Sequence, residues 1–286
     1  MKKILLVLNY NNFAQTKNFV RDALQFCFFD YIVIVDNASN NNSFQVLSEN
    51  FHNNDNIVVL LSPNNSGYAG GNNFGLQYLE TRFESDDVVY IANPDVSLNL
   101  KALKSINRII LEDEHIGLVT TNILDQKSAW KNLGYYKSIF IESYLFRKFF
   151  FHRYLKIKYY PELTGEKCPV DIVTGAFFAT TLSTMVEIKG FDPNTFLYME
   201  EDILAHRIKI SNRQSYVLGT EQVIHEGGSS TSSVLSEIKR KKILNESKKY
   251  YYKTYLGIKP IKLLLFNVIS SFDVSLLYLK KILQGK

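Results

Sequence analysis

Five stretches of this chain carry side chains of a type and spacing that can do chemistry. In residues 91–97, I-A-N-P-D-V-S, the only carboxylate is Asp95, in a proline-stiffened turn directly after an apolar run. An acid so placed stands at the carboxyl edge of a strand, where open α/β sheets bind ligands, and it suits a metal ion or a phosphate partner. The same N-P-D is also ordinary β-turn chemistry. Glu200, Glu201 and Asp202 follow F-L-Y. Adjacent carboxylates repel one another, which raises the pKa of at least one and prepares a general base or a cation site. Acids at a helix start also simply complement its dipole. His225, in V-I-H-E-G-G-S-S, ends a short apolar run beside a glycine pair and offers a metal ligand or a structural imidazole. Asp36 closes Y-I-V-I-V-D, where an acid accepts a hydrogen bond from a nucleobase or ribose, or caps a turn. The run 67–73, G-Y-A-G-G-N-N, lacks the spacing of the dinucleotide fingerprint, but ahead of a helix it lets backbone approach a diphosphate or make a tight turn.

Regular elements must hold these stretches. Unbroken apolar runs at 4–8, 31–35, 57–61 and 88–91 predict strands buried on both faces. Between them, helical spacing predicts helices over 16–28, 44–51 and 72–82. Strand alternating with helix implies βαβ units and a largely parallel sheet, so residues 1–100 read as one nucleotide-binding half. The polar loops N9-Y-N-N, D36-N-A-S-N and N64-N-S-G-Y-A-G-G-N-N, with Asp95, all fall on the carboxyl edge, and one crevice is expected to gather Asn9, Asp36, Gly67, Gly70, Gly71 and Asp95. Further on, 101–113 predicts a surface helix, 117–121 a strand, 170–180 a strand, 184–189 a short helix ending at Gly190, and 200–210 a helix. Residues 101–235 form the second half, and 236–286 a basic, mostly helical extension.

With 286 residues, 46% of them hydrophobic, the chain has enough apolar material for a sizeable core. A formal charge of +5 is compatible with an anionic partner and selects none. Two cysteines, Cys27 and Cys168, are too few and too far apart for a disulfide framework or a clustered cysteine metal site, so reduced thiols are expected. The N-terminal apolar run meets Asn9 too early for a signal peptide and reads as a strand. No uninterrupted apolar run approaches the ~20 residues needed to span a bilayer, so no transmembrane helix is expected.

The order of the motifs says more than any one of them. V-L-N-Y-N, V-D-N-A-S, N-N-S-G-Y-A-G-G-N-N-F-G, N-P-D-V, T-G-A-F-F, G-F-D-P-N-T-F-L-Y-M-E-E-D and H-E-G-G-S-S, in that sequence over about residues 3–232, resemble the inverting family 2 glycosyltransferases of GT-A fold. The glycine-rich and N-P-D-V pair most resembles the bacterial rhamnosyltransferase-like branch that builds cell-surface polysaccharides, capsule or O-antigen among them. The resemblance implies an α/β GT-A fold, with a mostly parallel Rossmann-like sheet flanked by helices and a helical C-terminal extension. It implies a nucleotide-sugar donor, dTDP- or UDP-linked, bound by Asn9, Asp36, Asn65, Gly67, Gly70, Gly71, Asn72 and Asn93. Asp95 takes the place of the last acid of the D-x-D motif, with Asn93 in place of the first, and Asp95 and His225 would bind a divalent cation, Mn2+ or Mg2+. Aligned from F-L-Y, Glu201 occupies the position of the catalytic base and Asp202 is the alternative. The reaction implied is one in-line displacement, which needs no covalent nucleophile.

Residues 137–160 and 258–283 mix aromatic and aliphatic side chains with lysine and arginine. Such mixtures suit the headgroup region of an anionic membrane, or the packing of amphipathic helices. Together with the resemblance they imply a lipid-linked saccharide acceptor and a cytoplasmic enzyme peripheral to the inner face of the cell membrane. A sugar nucleotidyltransferase would be expected to carry an N-terminal glycine- and arginine-rich phosphate loop, which residues 9–12 do not supply. A non-catalytic nucleotide-binding subunit would have no use for the full set Asp95, Glu201, Asp202 and His225. No groove-reading element points to nucleic acid, and the oligomeric state is not legible.

Overall fold

A computed structural model describes residues 1–226 and 236–283. The N-terminal apolar runs form strands β1 (Lys3–Asn9), β2 (Tyr31–Asp36), β3 (Ile57–Leu61) and β4 (Val88–Ala92), paired in parallel in the order β3-β2-β1-β4. Successive side chains of a strand point to opposite faces. Leu5, Val7, Ile32 and Ile34 accordingly pack with α1 (Phe13–Gln25) and α2 (Ser43–Phe51), while Ile4, Leu6, Val33 and Val35 pack with α3 (Gly67–Glu80). A sheet covered on both sides is what those runs require.

After the short β5 (Val96–Ser97) come α4 (Leu100–Glu112), β6 (Ile116–Ile123) and β7 (Ala129–Trp130). Then follow α5 (Gly134–Ile141), α6 (Tyr144–Phe149), α7 (Phe151–Lys158), β8 (Cys168–Val170), β9 (Ile172–Val173), β10 (Phe177–Thr181), α8 (Leu182–Glu187), α9 (Glu200–Ile210) and β11 (Gln214–His225). Strand β10 extends the sheet antiparallel to β4 and to β6, and β11 lies parallel to β6. The far end of β11 turns back against β5, pairing His225 with Val96. Strands β7 and β9 form a separate ribbon. Two helices close the chain, α10 (Glu237–Thr254) and α11 (Pro260–Leu283). They share a core with α5 and the start of α9, built from Tyr135, Ile139, Met199, Ile203, Tyr252 and Phe266. Cys27 and Cys168 are free thiols.

Two expectations are corrected. The helix expected over 72–82 begins at Gly67, so the glycine-rich run is its first turns and not a loop ahead of it. Glycines there let the helix approach the sheet closely: a Cβ on Gly71 would lie 2.5 Å from Leu8, and one on Gly75 2.4 Å from Leu6. The single strand expected over 170–180 is three short ones, because β8 pairs with β11, β9 with β7 and β10 with β4. Helix α11 is long and apolar enough to cross a membrane by length and composition alone, an 18-residue window within its 24 residues averaging a hydropathy of 1.5, which by itself does not set aside the expectation of no transmembrane helix. No unbroken apolar run signals it, because Asn267, Ser270, Ser271, Asp273 and Ser275 interrupt the run without lowering its average far. Residues 137–160 show no single period because they are three short helices that change direction.

Candidate active site

The register of β11 against β5 decides the first half of the site. It carries His225 across from a segment far away in sequence and sets its Nε2 3.1 Å from Oδ1 of Asp95. The other side of the ring is fixed by Gln126. Its Nε2 donates to the His225 backbone oxygen at 2.6 Å, which leaves Gln126 Oε1 to accept from His225 Nδ1 at 2.9 Å. In the neutral imidazole one nitrogen donates and the other accepts, so Nε2 then turns a lone pair toward Asp95. Asp95 Oδ1 is buried and has no hydrogen-bond partner. Two acceptors therefore face each other, an arrangement relieved only by a proton or a cation held between them. Among the described residues no cluster of three or more His, Cys, Asp or Glu could hold a metal. A divalent ion at Asp95 and His225 would take its remaining ligands from water or a bound diphosphate.

The polar loops beside this pair are tied to one another. Asn9 and Asp36 meet in register at the ends of β1 and β2, fully buried, with Asn9 Nδ2 donating to Asp36 Oδ2 at 2.7 Å. Asp36 also accepts from the backbone N–H and hydroxyl of Ser39, both at 2.8 Å. Next along the edge, Asn37 Nδ2 donates to Asn65 Oδ1 at 3.1 Å and to the Gly67 carbonyl at 3.0 Å. Gly67 has φ +72°, and a Cβ there would fall 2.0 Å from the Phe196 carbonyl oxygen, so only glycine fits. Gly70 closes on Ser66, and Gly71 on Leu8 and Asn37. These glycines serve close packing at the carboxyl edge. Asn72 is buried one turn on, its Nδ2 donating to Tyr68 O at 2.9 Å while its Oδ1 has no partner.

The second half is the acidic start of α9. Tyr198 and Met199 both hold left-handed φ, +70° and +69°, a strain that side chains other than glycine tolerate only where the surroundings enforce it. Burial pushes all three acids up; the charges of Glu201 and Asp202 add to it at Glu200, that of Asp202 at Glu201 and that of Glu142 at Asp202. Glu201 reaches about 7, and Glu200, its Oε2 unpaired, is held well above the ordinary carboxyl range. Burial is a larger cause than the repulsion expected from sequence. Asp202 rises less because the Lys158 ammonium opposes its burial and Trp130 Nε1 lies 3.4 Å from its Oδ2. Lys158 is itself engaged at 2.7 Å by Glu142, which also meets Lys248 of α10. Burial pushes the Glu142 carboxyl up, and the two ammonium groups outweigh it, holding it well below the ordinary range. Around Glu201 and Asp202 opens a cavity of about 260 Å³, walled by Trp130, Tyr198, Lys158 and, from the C-terminal extension, Lys248 and Tyr251.

One segment joins the halves. The Ala176 carbonyl accepts from the Asn93 backbone N–H at 2.8 Å, and Gly175 N–H donates to Glu201 Oε1 at 3.3 Å. Tyr68 of α3 closes the link by donating its hydroxyl to the Gly175 carbonyl at 2.6 Å. A Cβ on Gly175 would stand 3.0 Å from Glu201 Oε1. The sequence does not single out Gln126, Trp130 or Glu142, and it groups Lys158 with the membrane-facing cations of 137–160, whereas Lys158 lines the cavity against Glu142. Only Trp130 carried a signal, as the single tryptophan of the chain. Gly227 to Ser230 of the H-E-G-G-S-S motif lie outside the described residues.

Residues 5–175 match the profile of Glycosyl transferase family 2. A curated relative, the low-salt glycan biosynthesis hexosyltransferase Agl10 of Haloferax volcanii, is 26% identical over 223 residues, which are 77% of this chain and 64% of the relative. The chain thus spans less than two thirds of that relative's length. Among solved structures, GalNAc-T7 with UDP, GalNAc and Mn2+ superposes with a TM-score of 0.62 at 14% identity, over 88% of this chain and 50% of the other. The mannosyltransferase PcManGT of Pyrobaculum calidifontis, in complex with GDP-Man and Mn2+, gives 0.60 at 12% identity, over 96% and 72%. TarS of S. aureus, residues 1–349, gives 0.56 at 14%, over 96% and 80%. At such identities the likeness is one of fold, and it bears out the GT-A architecture.

Proposed function

The chain belongs to glycosyl transferase family 2, and on that premise we propose that it moves a hexosyl group from a nucleotide diphosphate to an acceptor hydroxyl with inversion. The observation that carries this reading is the 174–176 segment. It hydrogen-bonds the N-P-D turn on one side and the Glu201 carboxylate on the other, which supports reading the two as the diphosphate and base halves of one site. Glu201, poised at about 7, removes the proton of the acceptor hydroxyl. That oxygen bonds to the anomeric carbon as the bond to the diphosphate breaks, and the electron pair leaves with the nucleotide. Asp95 and His225 are the residues that would hold a divalent cation, Mn2+ or Mg2+. When bound, the ion supplies positive charge to the departing diphosphate.

In this reading residues 1–100 serve the donor, with Asn9, Asp36, Asn65, Asn72 and Asn93 around the nucleotide sugar, and residues 101–235 serve the acceptor. The extension from residue 236 completes the acceptor cavity, which its Lys248 and Tyr251 help to wall. The finer assignments, a rhamnosyl donor and a lipid-linked saccharide acceptor for a cell-surface polysaccharide, draw on the branch resemblance of the glycine-rich and N-P-D-V motifs. A panel of nucleotide sugars, scored for hydrolysis and transfer with and without Mn2+ or Mg2+, tests the proposal. Turnover of one donor class, dependent on the cation and lost in Asp95→Ala, is expected. Cation-independent transfer that Asp95→Ala leaves intact would overturn the metal assignment.

A further inference from the structure

Helix α11 has two apolar faces, and only one of them is used. Leu263 and Phe266 are buried against α5 and α10, and Leu277 is buried on the same face. On the opposite side Ile261, Leu264, Leu265, Val268, Phe272 and Leu279 recur at helical spacing as one stripe. They are open to solvent, Ile261 by 71%, Val268 by 67% and Phe272 by 52%. A continuous exposed stripe of this kind marks an interaction surface. It continues onto α6, since Val268 and Phe272 share an apolar concavity with Phe140 of α5 and Leu145 of α6, and the exposed Phe149, Phe150 and Phe151 follow where α6 passes into α7.

The exposed charges beside this surface are mostly basic. Residues 143–156 contain Arg147, Lys148, Arg153 and Lys156 and no acid, and α11 contributes Lys262 and Lys281, with Lys280 paired to Glu237 of α10. The only acid of α11, Asp273, faces inward. It is 3% exposed, accepts from the Tyr144 backbone N–H at 2.9 Å, and pairs with Lys241 at 2.9 Å. A helix crossing a bilayer would have to release those contacts and carry Asp273 into hydrocarbon, where a carboxylate is costly. A helix lying in the interface keeps them and buries only its outer stripe.

We propose that α11 and the aromatic end of α6 form an in-plane docking face for an anionic lipid bilayer. It deepens the lipid-linked acceptor reading, on which it rests for its purpose, because the cavity is walled by α6 and by α10, the helices against which α11 packs. The test is sedimentation of the full chain with phosphatidylcholine–phosphatidylglycerol vesicles and with phosphatidylcholine vesicles. Binding to the anionic vesicles at low salt is expected, with release by high salt and by alkaline carbonate. Val268→Glu with Phe272→Glu should abolish it. Lys262→Gln with Lys281→Gln, on exposed lysines whose loss leaves the fold intact, should weaken it roughly 30-fold, at the free energy each basic residue contributes near such a surface. Equal binding to both vesicle types, unchanged binding by both variants, retention through carbonate, or a dimer that Val268→Glu with Phe272→Glu dissolves would each overturn the proposal. Donor hydrolysis is scored on the same samples. Its absence in a wild-type chain that still binds vesicles defeats the transferase reading and leaves the docking face standing.

Discussion

The pH dependence of turnover separates Glu201 from Asp202 as the base. Burial first, then the neighbouring Asp202, lifts Glu201 from 4.5 to about 7. A base must be ionised to act, so the acid limb of kcat/KM is expected near that value, with the rate falling about tenfold per pH unit below it. At about pH 6 roughly a tenth of Glu201 is ionised, whereas a carboxyl of ordinary pKa, ~4.3, would be almost wholly ionised and the profile flat. Glu201→Gln should lower kcat by about 10²–10⁴ and remove the limb. Asp202→Asn should keep turnover and move the limb to lower pH, because the Asp202 charge is one of the causes that raise Glu201. The assay is initial-rate kinetics over pH for the wild type and both variants, with the divalent ion saturating throughout. A limb between about pH 4 and 5 in the wild type, near the ordinary carboxyl pKa, would refute the burial argument. Turnover lost in Asp202→Asn but kept in Glu201→Gln would transfer the role to Asp202.

Two further perturbations probe the supports of the site. Gln126→Leu removes the group that fixes the His225 ring while leaving Asp95 and His225 in place. Mn2+ affinity, titrated with nucleotide present, is expected to fall about 10–100-fold, as for other partners that orient a metal-binding histidine. Unchanged affinity would sink the orientation argument. Glu142→Gln leaves the Lys158 and Lys248 ammonium groups without their shared carboxylate, and such a loss costs about 3–5 kcal/mol when the pair is buried. The folded pKa of Glu142 lies below its unfolded value. Its contribution is therefore full above the ordinary carboxyl pKa and fades as pH falls through the folded one. Thermal melts of wild type and variant should differ widely at neutral pH and converge in strong acid; a gap that widens on acidification would contradict the assignment.

The donor half was legible because its signals are local. Strands such as 31–35 are continuous apolar runs, and the acids and asparagines that follow fall on one sheet edge wherever strands are parallel. The sequence could not show that α3 starts at Gly67, because glycine reads as loop unless its neighbours are known, and those are Leu8, Ser66 and the Phe196 carbonyl. The Asp95–His225 pair was nameable residue by residue, but its contact depends on β11 bending back to β5. The same holds for Gln126, an ordinary glutamine until it meets His225. Residues 137–160 stayed opaque because their side chains serve three surroundings at once. Tyr135 and Ile139 just before and within that stretch face a core, Glu142 and Lys158 face the cavity, and Phe149 to Phe151 face outward.

The C-terminal extension is best understood from the turn it supports. Tyr198 and Met199 each hold a backbone conformation that costs an L-residue roughly 1–2 kcal/mol, and both come immediately before the acids. Nothing within the turn repays that strain. The extension does: Ser247 of α10 donates to the Leu197 carbonyl at 2.8 Å, and Met199 is buried among Tyr251, Tyr252 and Phe266. Asp192, just ahead of the turn, accepts from the Tyr250 hydroxyl at 2.8 Å and also from that of Tyr255. The same α10 supplies Lys248, which with Lys158 holds Glu142 beside Asp202. The extension thus fixes both the direction from which Glu201 enters the cavity and the charge around it. Helix α11 packs into the same core through Leu263 and Phe266, so the extension backs the turn with two helices and not one.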